Sequence, residues 1–436
     1  MIWLITGYMW LFLHRPFEIW PWMGTLRIER MSMIFIVIAW LTVAEKQLTE
    51  NKINFAVFLF ALSMTLATLM SPYTNIFDSG GYQNWMKYLV FYVLVMTSVK
   101  KEDDLKILVT AFVICFFIYM LHSYREYLCG RYTFVMGTKR LIGVDSTMND
   151  PNGFGASMVI CLPFLLPLVT LFKKKWHYVF MISYILLSIR CIQLTGSRSS
   201  FLGLGLLLFS SAIISKHRLK LVPIMVLLSF VLWLTLTDNL RDRYRTIVDS
   251  SINESANQSA QGRLHGFYKG LENWEKSPIW GVGPECHGYA TGEGFLSHCL
   301  YGQIPGELGT LGIVTMSFLV LCFFLNHFQI VQNYNYLQRK GFGKDGLFCL
   351  RLSTAIVSAI SLLLVFGLGG HNGYRFHWIW FAAFQALAAS CLSEKVDEIH
   401  KREMQNLSFP KRENPMPLIS GKIQGNNFPS NLPPCG

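Results

Sequence analysis

The apolar residues of this chain fall in long unbroken runs, and those runs restrict what it can fold into. A helix needs about 20 predominantly apolar residues to cross ~30 Å of hydrocarbon. Runs of or near that length recur at 1–13, 31–44, 53–71, 84–99, 105–122, 154–172, 177–194, 201–215, 221–237, 307–326, 347–368 and 376–392. They are rich in Leu, Ile, Phe and Met and show no period-two alternation, which argues against a transmembrane barrel. The fold expected is an all-α polytopic membrane protein of about twelve transmembrane helices. Composition agrees: 52% of residues are hydrophobic and 15% charged, where a soluble domain carries about 25% charged residues. The first two runs are short, and flanking aromatics such as Trp20 and Trp22 would extend them into the interface. No basic segment or small-residue cleavage site opens the chain, so no removable signal peptide is expected.

Lysine placement orients the chain. Lys46, Lys52, Lys100, Lys101, Lys173–Lys175, Lys216, Lys220, Lys340 and Lys344 fall on alternate loops. By the positive-inside rule those loops, and both termini, are cytoplasmic. The segments 14–30, 72–83, 123–153, 195–200, 238–306 and 369–375 then lie outside. The longest of these, 238–306, is a single large loop between the ninth and tenth spans. Residues 1–393 read as one integral-membrane domain that includes this loop. Residues 394–436, polar and rich in Asn and Pro, read as a disordered cytoplasmic tail.

Outside, arginine outnumbers lysine, with Arg15, Arg125, Arg140, Arg198, Arg263 and Arg375 among them. Singly, such arginines snorkel to lipid headgroups. As a set they suit a phosphate-bearing ligand, because guanidinium offers a rigid bidentate fork and stays charged when desolvated. The formal net charge of +12 therefore implies no nucleic-acid partner, and no basic soluble domain with interleaved aromatics is present to bind one. No His/Cys spacing fits zinc. Most cysteines lie in the apolar runs; Cys286 and Cys299 share the long loop, where a disulfide is conceivable on spacing alone.

Four polar stretches face outward. Lys139-Arg140 precedes Asn149-Asp-Pro-Asn152-Gly, which reads either as a plain helix-capping turn or as a helix N-terminus that holds an anion beside Arg140. Thr195-Gly-Ser-Arg198-Ser-Ser is a tight turn that returns Arg198 to the bilayer. An arginine at a helix centre costs about 2.5–3.5 kcal/mol, less near the interface, so Arg198 needs a partner. Within 238–306, Leu264, Phe267, Tyr268, Leu271 and Trp274 fall on one helical face. That face is expected against the membrane or the top of the bundle, with Arg263 at its start and Pro278, Gly281, Gly283 and Pro284 ending it. Last comes Ser297-His298-Cys-Leu-Tyr301-Gly-Gln303, with Glu307 behind. His298 stands where loop becomes helix, and it reads either as a structural residue or as a base, histidine being the side chain that titrates near neutral pH.

In this order the stretches resemble the O-antigen ligase superfamily, which includes O-antigen polymerases and bacterial protein O-glycosylation ligases. The likeness rests on NDPNGFGAS, TGSRSSFLGL and the loop GRLHGFYKGLENWEKSPIWGVGP…SHCLYGQIPGELGTLG. HRPFEIWPWMGTLRIERMS and RDRYRTIVDSSINESANQSAQGR further resemble the ligases associated with exosortase systems. The resemblance implies an inner-membrane glycosyltransferase acting at the periplasmic face. It would move a glycan from an undecaprenyl-pyrophosphate carrier to a hydroxyl of a glycan, lipid or protein acceptor, with inversion and with no metal or other cofactor. By family position His298 is the general base, and Arg198 and Arg263 grip the pyrophosphate. Arg140, Asn152, Tyr301, Glu307 and Arg375 are the expected substrate-binding residues, and His371 shares the last outer loop. The family's Asn after the histidine is Cys299 here, so that side chain's role does not carry over. A polymerase of carrier-linked repeats shares the motifs. A flippase or exporter is the alternative from another class; it would favour internal repeats and mid-span polar groups, and neither is evident.

Overall fold

The computed structural model describes residues 1–42, 46, 48–135, 137–214, 222–223, 226–227, 230, 233–245 and 254–408. Its contacts divide into two units, Met1–Val396 and Asp397–Gly436, and the account below concerns the first.

The N-terminal third is helical: α1 (Ile2–His14), two short turns α2 (Pro16–Ile19) and α3 (Pro21–Thr25), α4 (Ile28–Thr42), α5 (Lys52–Met70), α6 (Gly80–Ser98) and α7 (Glu102–Leu128). A two-stranded antiparallel hairpin follows, β1 (Thr133–Val135) and β2 (Thr138–Arg140), with Thr133 paired to Arg140. This hairpin departs from the all-α expectation. The helical run α8 (Pro151–Leu171), which tightens to 3₁₀ geometry around Pro163, precedes α9 (Lys175–Thr195) and α10 (Arg198–Ile214). Beyond these come α11 (Asp238–Arg245), the long α12 (Glu254–Lys276), the one-turn α13 (His287–Thr291), α14 (Leu300–Arg339), α15 (Gly343–Gly367) and α16 (His377–Ser408).

Six of the described helices are long and apolar enough to cross a membrane: α5, α7, α8, α9, α14 and α15. They coincide with six of the twelve expected spans. Helices α1 and α10 are apolar but shorter, and much of the expected span 221–237 lies outside the described residues. The outer faces of the long helices carry exposed apolar side chains, among them Phe55, Phe58, Val314, Leu321 and Phe328. Such a surface suits lipid, in which every backbone polar group is satisfied within the helix.

The core forms around α16. From Phe376 to Ala389 every residue is buried, as expected of a helix that is apolar on all sides. Its Phe381 and Phe384 rings pack edge-on against Phe112 of α7, and Phe164 of α8 joins the same cluster. Trp380 stacks on Phe91 of α6 with centroids 4.5 Å apart. This aromatic packing fixes the helix ends that carry the polar stations. α16 runs on to Ser408, so the segment expected as tail from residue 394 begins as helix; residues 409–436 lie outside those described.

Candidate active site

The first polar station is assembled by Arg140 at the end of the hairpin. Leu141 N–H donates to Leu194 O at 2.9 Å, which seats the hairpin on the end of α9. Arg140, 4% exposed, then sends Nε to Thr195 O at 2.6 Å and Nη2 to Asn152 Oδ1 at 2.8 Å. One buried guanidinium thus joins the turn before α10 to the first turn of α8. Asp150 is the N-cap of α8, accepting from Gly153 N at 2.6 Å, and Pro151 occupies the first helical position, as the capping rules favour. Capping and arginine anchoring therefore operate together. Gly153 also leaves room for Arg375: a Cβ there would lie 2.5 Å from Arg375 Nη2.

The second station is built by glycines. Gly266 and Gly270 of α12 face Gly302 and Gly306 of α14; a Cβ on Gly270 would sit 2.3 Å from Gly302 O. Two pairs of small residues spaced by four let the backbones touch. On the apolar stripe, Leu264 and Tyr268 are each 55% exposed, so the glycines rather than these side chains make the contact with α14. Where the packed faces meet, Ser297 is buried and its hydroxyl reaches Gly266 O and Cys299 O, and His298 N–H lies beside Gly266. Cys299 is the N-cap of α14 without a side-chain capping bond, and Cys286 and Cys299 are both buried free thiols.

A kink holds this end of α14 in place. Gly309 adopts φ 64° and ψ −159°, a region open essentially to glycine alone. The carbonyls that lose helical partners there, Gly306 O and Glu307 O, accept instead from Val282 N and Gly283 N at 2.9 and 3.0 Å. Thr310 N and Leu311 N in turn donate to Pro278 O and Ile279 O. The Pro-Ile-Trp-Gly-Val-Gly turn and the Glu-Leu-Gly kink are two halves of one hydrogen-bonded joint, which accounts for their occurring together.

These stations converge on a cavity of about 410 Å³. Its walls include Asp150, Asn152, Ser199, His298, His371 and Arg375. The His298 and His371 rings lie 5.6 Å apart. Arg263 packs against Gly369 in the same wall, with its guanidinium carbon 3.1 Å from where a Cβ would be. Arg198 opens α10 directly beside Ser199. Of the expected residues, His298, Asn152 and Arg375 line the cavity, and Arg140 and Arg263 stand behind its wall.

Glu307 and Tyr301 are placed elsewhere. Glu307 is fully buried; its Oε2 accepts from Glu285 N at 3.0 Å and Gln303 Nε2 at 3.5 Å, while Tyr374 lies alongside. Gln303 Oε1 accepts from Gly373 N, so the reach of Glu307 is toward Glu285 and the 373 loop. Tyr301 turns outward and donates its hydroxyl to Leu364 O at 3.0 Å.

Sequence reasoning passed over the N-terminal brace. Glu18 accepts from Ser146 N at 2.6 Å and from Ser146 Oγ at 2.9 Å, and Arg15 pairs with Glu18 at 2.9 Å. Ser146 and Thr147 line the cavity, and Asp145 is bonded by Tyr119 and Thr147. The i,i+3 spacing of Arg15 and Glu18 gives no signal that Glu18 has a partner 128 positions away.

Burial, and then the positive charge of Arg375, push the His371 imidazole down to about 4. It is therefore neutral near pH 7. Burial also pulls Arg263 and Arg375 below the usual guanidinium range, with Asp150 opposing the shift at Arg375; guanidinium remains charged at such sites. The cavity thus presents fixed positive charge beside neutral and acidic groups. Among the described residues no group of three or more His, Cys, Asp or Glu could hold a metal ion.

Residues 182–317 match the family model described as O-antigen ligase. The match supports the superfamily resemblance. It spans Arg198, Arg263, His298, Tyr301 and Glu307, whereas Arg140, Asn152 and Arg375 fall outside it. No curated protein matches the chain. The O-antigen ligase family, together with six apolar helices, points to a multi-pass membrane protein of glycosyltransferase type, a glycan ligase or polymerase.

Proposed function

We propose that this protein is a glycan ligase of the bacterial inner membrane, with both termini cytoplasmic and the His298 cavity periplasmic. It transfers a glycan from an undecaprenyl-pyrophosphate carrier to a hydroxyl of a glycan, lipid or protein acceptor. The observation that carries the reading is one cavity shared by an imidazole, His298, and a guanidinium, Arg375, with Arg263 against its wall. An inverting glycosyl transfer needs those two kinds of group. The acceptor oxygen bonds to the anomeric carbon as the bond from that carbon to the pyrophosphate oxygen breaks. His298 takes the acceptor proton, and the leaving pyrophosphate keeps the electron pair under the arginines. A positioned general base contributes ~10²–10⁴-fold, and preorganised charge at the leaving group contributes further. His371, held near 4, is poorly matched to that role, because general bases work best with a pKa near the operating pH.

Arg198, Arg263 and Arg375 are assigned to the pyrophosphate, and Arg140 acts by holding Asn152 at the donor's polar head. Tyr301 and Glu307 support the helix that presents His298. The N-terminal segment that resembles exosortase-associated ligases meets the cavity rim through Glu18 and Ser146. The test is transfer from a lipid-pyrophosphate glycan by detergent-purified protein. His298→Ala is expected to lose at least 100-fold in rate, and unchanged transfer would remove the base assignment. A single glycan on a foreign acceptor supports a ligase; a ladder on the carrier makes the protein a polymerase.

A further inference from the structure

Beyond the His298 cavity lie two more, and shared walls chain all three. Thr147, His371 and Arg375 line both the His298 cavity and a smaller passage of about 190 Å³. Glu285 and Leu296 line both that passage and an outer cavity of about 410 Å³. The chemistry changes along this path. The inner end carries Arg375 and two imidazoles beside one carboxylate, Asp150, whereas the outer cavity holds two carboxylates, Asp78 and Glu285, and neither lysine nor arginine among its described lining residues. Its aromatic rings stand open: Tyr289 is 75% exposed, Phe295 70% and Tyr73 45%.

Glu285 is held where it is at a cost. It adopts φ 60°, uncommon for a residue with a side chain and the kind of strain that collects at functional sites. Its N–H is fixed by Glu307, and its carboxylate rests against Gly80 and Gly81, where a Cβ on Gly81 would come within 2.9 Å. The buried Glu307, which does not line the His298 cavity, thereby acquires a role: it sets the backbone that aims Glu285 between the passage and the outer cavity.

We propose that the outer cavity and the passage form the acceptor subsite, and that the acceptor they take is a glycan without phosphate groups. The proposal rests on the ligase reading above. Open aromatic rings stack on the C–H faces of sugar rings, and a fixed carboxylate accepts hydrogen bonds from paired hydroxyls. In the outer cavity two carboxylates, with no lysine or arginine among its described lining residues, disfavour a phosphorylated acceptor, while the arginine-bearing inner end retains the pyrophosphate. The reacting hydroxyl enters past His371 and Arg375 toward His298. Tyr289, Phe295 and Glu285 are thus specificity-determining residues for the acceptor.

The full-length protein in lipid nanodiscs, free of sugar detergents, allows a direct test with defined probes. Saturation-transfer NMR would follow maltohexaose and chitohexaose, and phosphorus line broadening would follow inorganic pyrophosphate. At least one oligosaccharide is expected to bind, losing fivefold or more of its signal in Tyr289→Ala/Phe295→Ala and in Glu285→Gln. Pyrophosphate broadening should be unchanged in those variants and reduced in Arg375→Gln. The proposal is overturned if neither oligosaccharide binds, if binding survives the aromatic double variant, or if it is lost only in Arg375→Gln. Failure of pyrophosphate to bind would instead count against the ligase reading, and the oligosaccharide result would still decide the subsite. Tyr289 and Phe295 are surface rings, so the double variant is expected to elute and melt like the wild type.

Discussion

Arg140 Nη2 donates to Asn152 Oδ1 at 2.8 Å while its Nε donates to Thr195 O at 2.6 Å. One side chain thereby holds the start of α8 to the turn before α10, the two polar stations on which the cavity depends. Arg140→Ala removes a buried cation and leaves Thr195 O and Asn152 short of donors. Each buried unsatisfied group costs about 1–3 kcal/mol, so the variant should melt at clearly lower temperature in detergent. Arg140→Lys has one point-like ammonium and cannot reproduce the fork; it should recover less than half of the lost stability. A lysine variant as stable as wild type would mean that the two bonds are not used together.

The Gly309 joint leads to a second expectation. Alanine there would adopt a conformation open essentially to glycine and would place its Cβ 2.4 Å from Ile279 O. The expected loss is about 2–5 kcal/mol, combining backbone strain and overpacking. Gly262→Ala, which meets nothing within 4 Å, is the matched control and should be neutral. Thermal melts followed by size-exclusion chromatography separate the two.

The sequence made the spanning helices legible because bilayer thickness fixes their length and composition, as at 53–71 and 347–368. It also marked the order of the polar stations, since Asp150-Pro151 and Pro278…Gly283 are punctuation with local causes. What it concealed depends on partners distant in the chain. Hydrophobic periodicity pointed to the Leu264–Tyr268 face of α12, yet Gly266 and Gly270 make the contact, because close approach is signalled by missing side chains. Glu-Leu-Gly read as a helix start, and only its pairing with Val282 and Gly283 reveals a kink. The hairpin at 133–140 is too short and polar for alternation to register.

Glu18 supplies the third prediction. It binds Ser146 through both the backbone and the hydroxyl and so positions the rim segment that carries Thr147. Glu18→Ala is expected to lower kcat about tenfold with donor KM changed less than threefold, because the cavity loses order rather than a ligand. Glu18→Gln keeps one acceptor oxygen and should recover most of that loss. A tenfold rise in donor KM with kcat intact would instead place Glu18 in contact with the donor.

Tyr301 provides a negative prediction. Its hydroxyl is committed to Leu364 O, and Tyr301 is not among the residues that line the His298 cavity. Tyr301→Phe should cost less than about 1 kcal/mol, as for a neutral hydrogen bond near the surface, and leave transfer within twofold of wild type. A larger kinetic effect would return the phenol to the substrate.

The pH dependence follows from His371. Burial holds its folded pKa at about 4 against 6.5 for an unperturbed histidine. Between these values the unfolded chain binds a proton that the folded protein refuses, so stability rises with pH across the window. The contribution is intact above pH 6.5 and is lost progressively as pH falls from 6.5 through 4, with a total on the order of 3 kcal/mol. Protonation would also set an imidazolium beside Arg375 in the wall that the donor and acceptor cavities share. His371→Gln removes the titration but keeps a polar side chain, so its melting temperature should fall less steeply between pH 6.5 and 4 than that of wild type. Parallel slopes for the two proteins would show that His371 is not the group responsible.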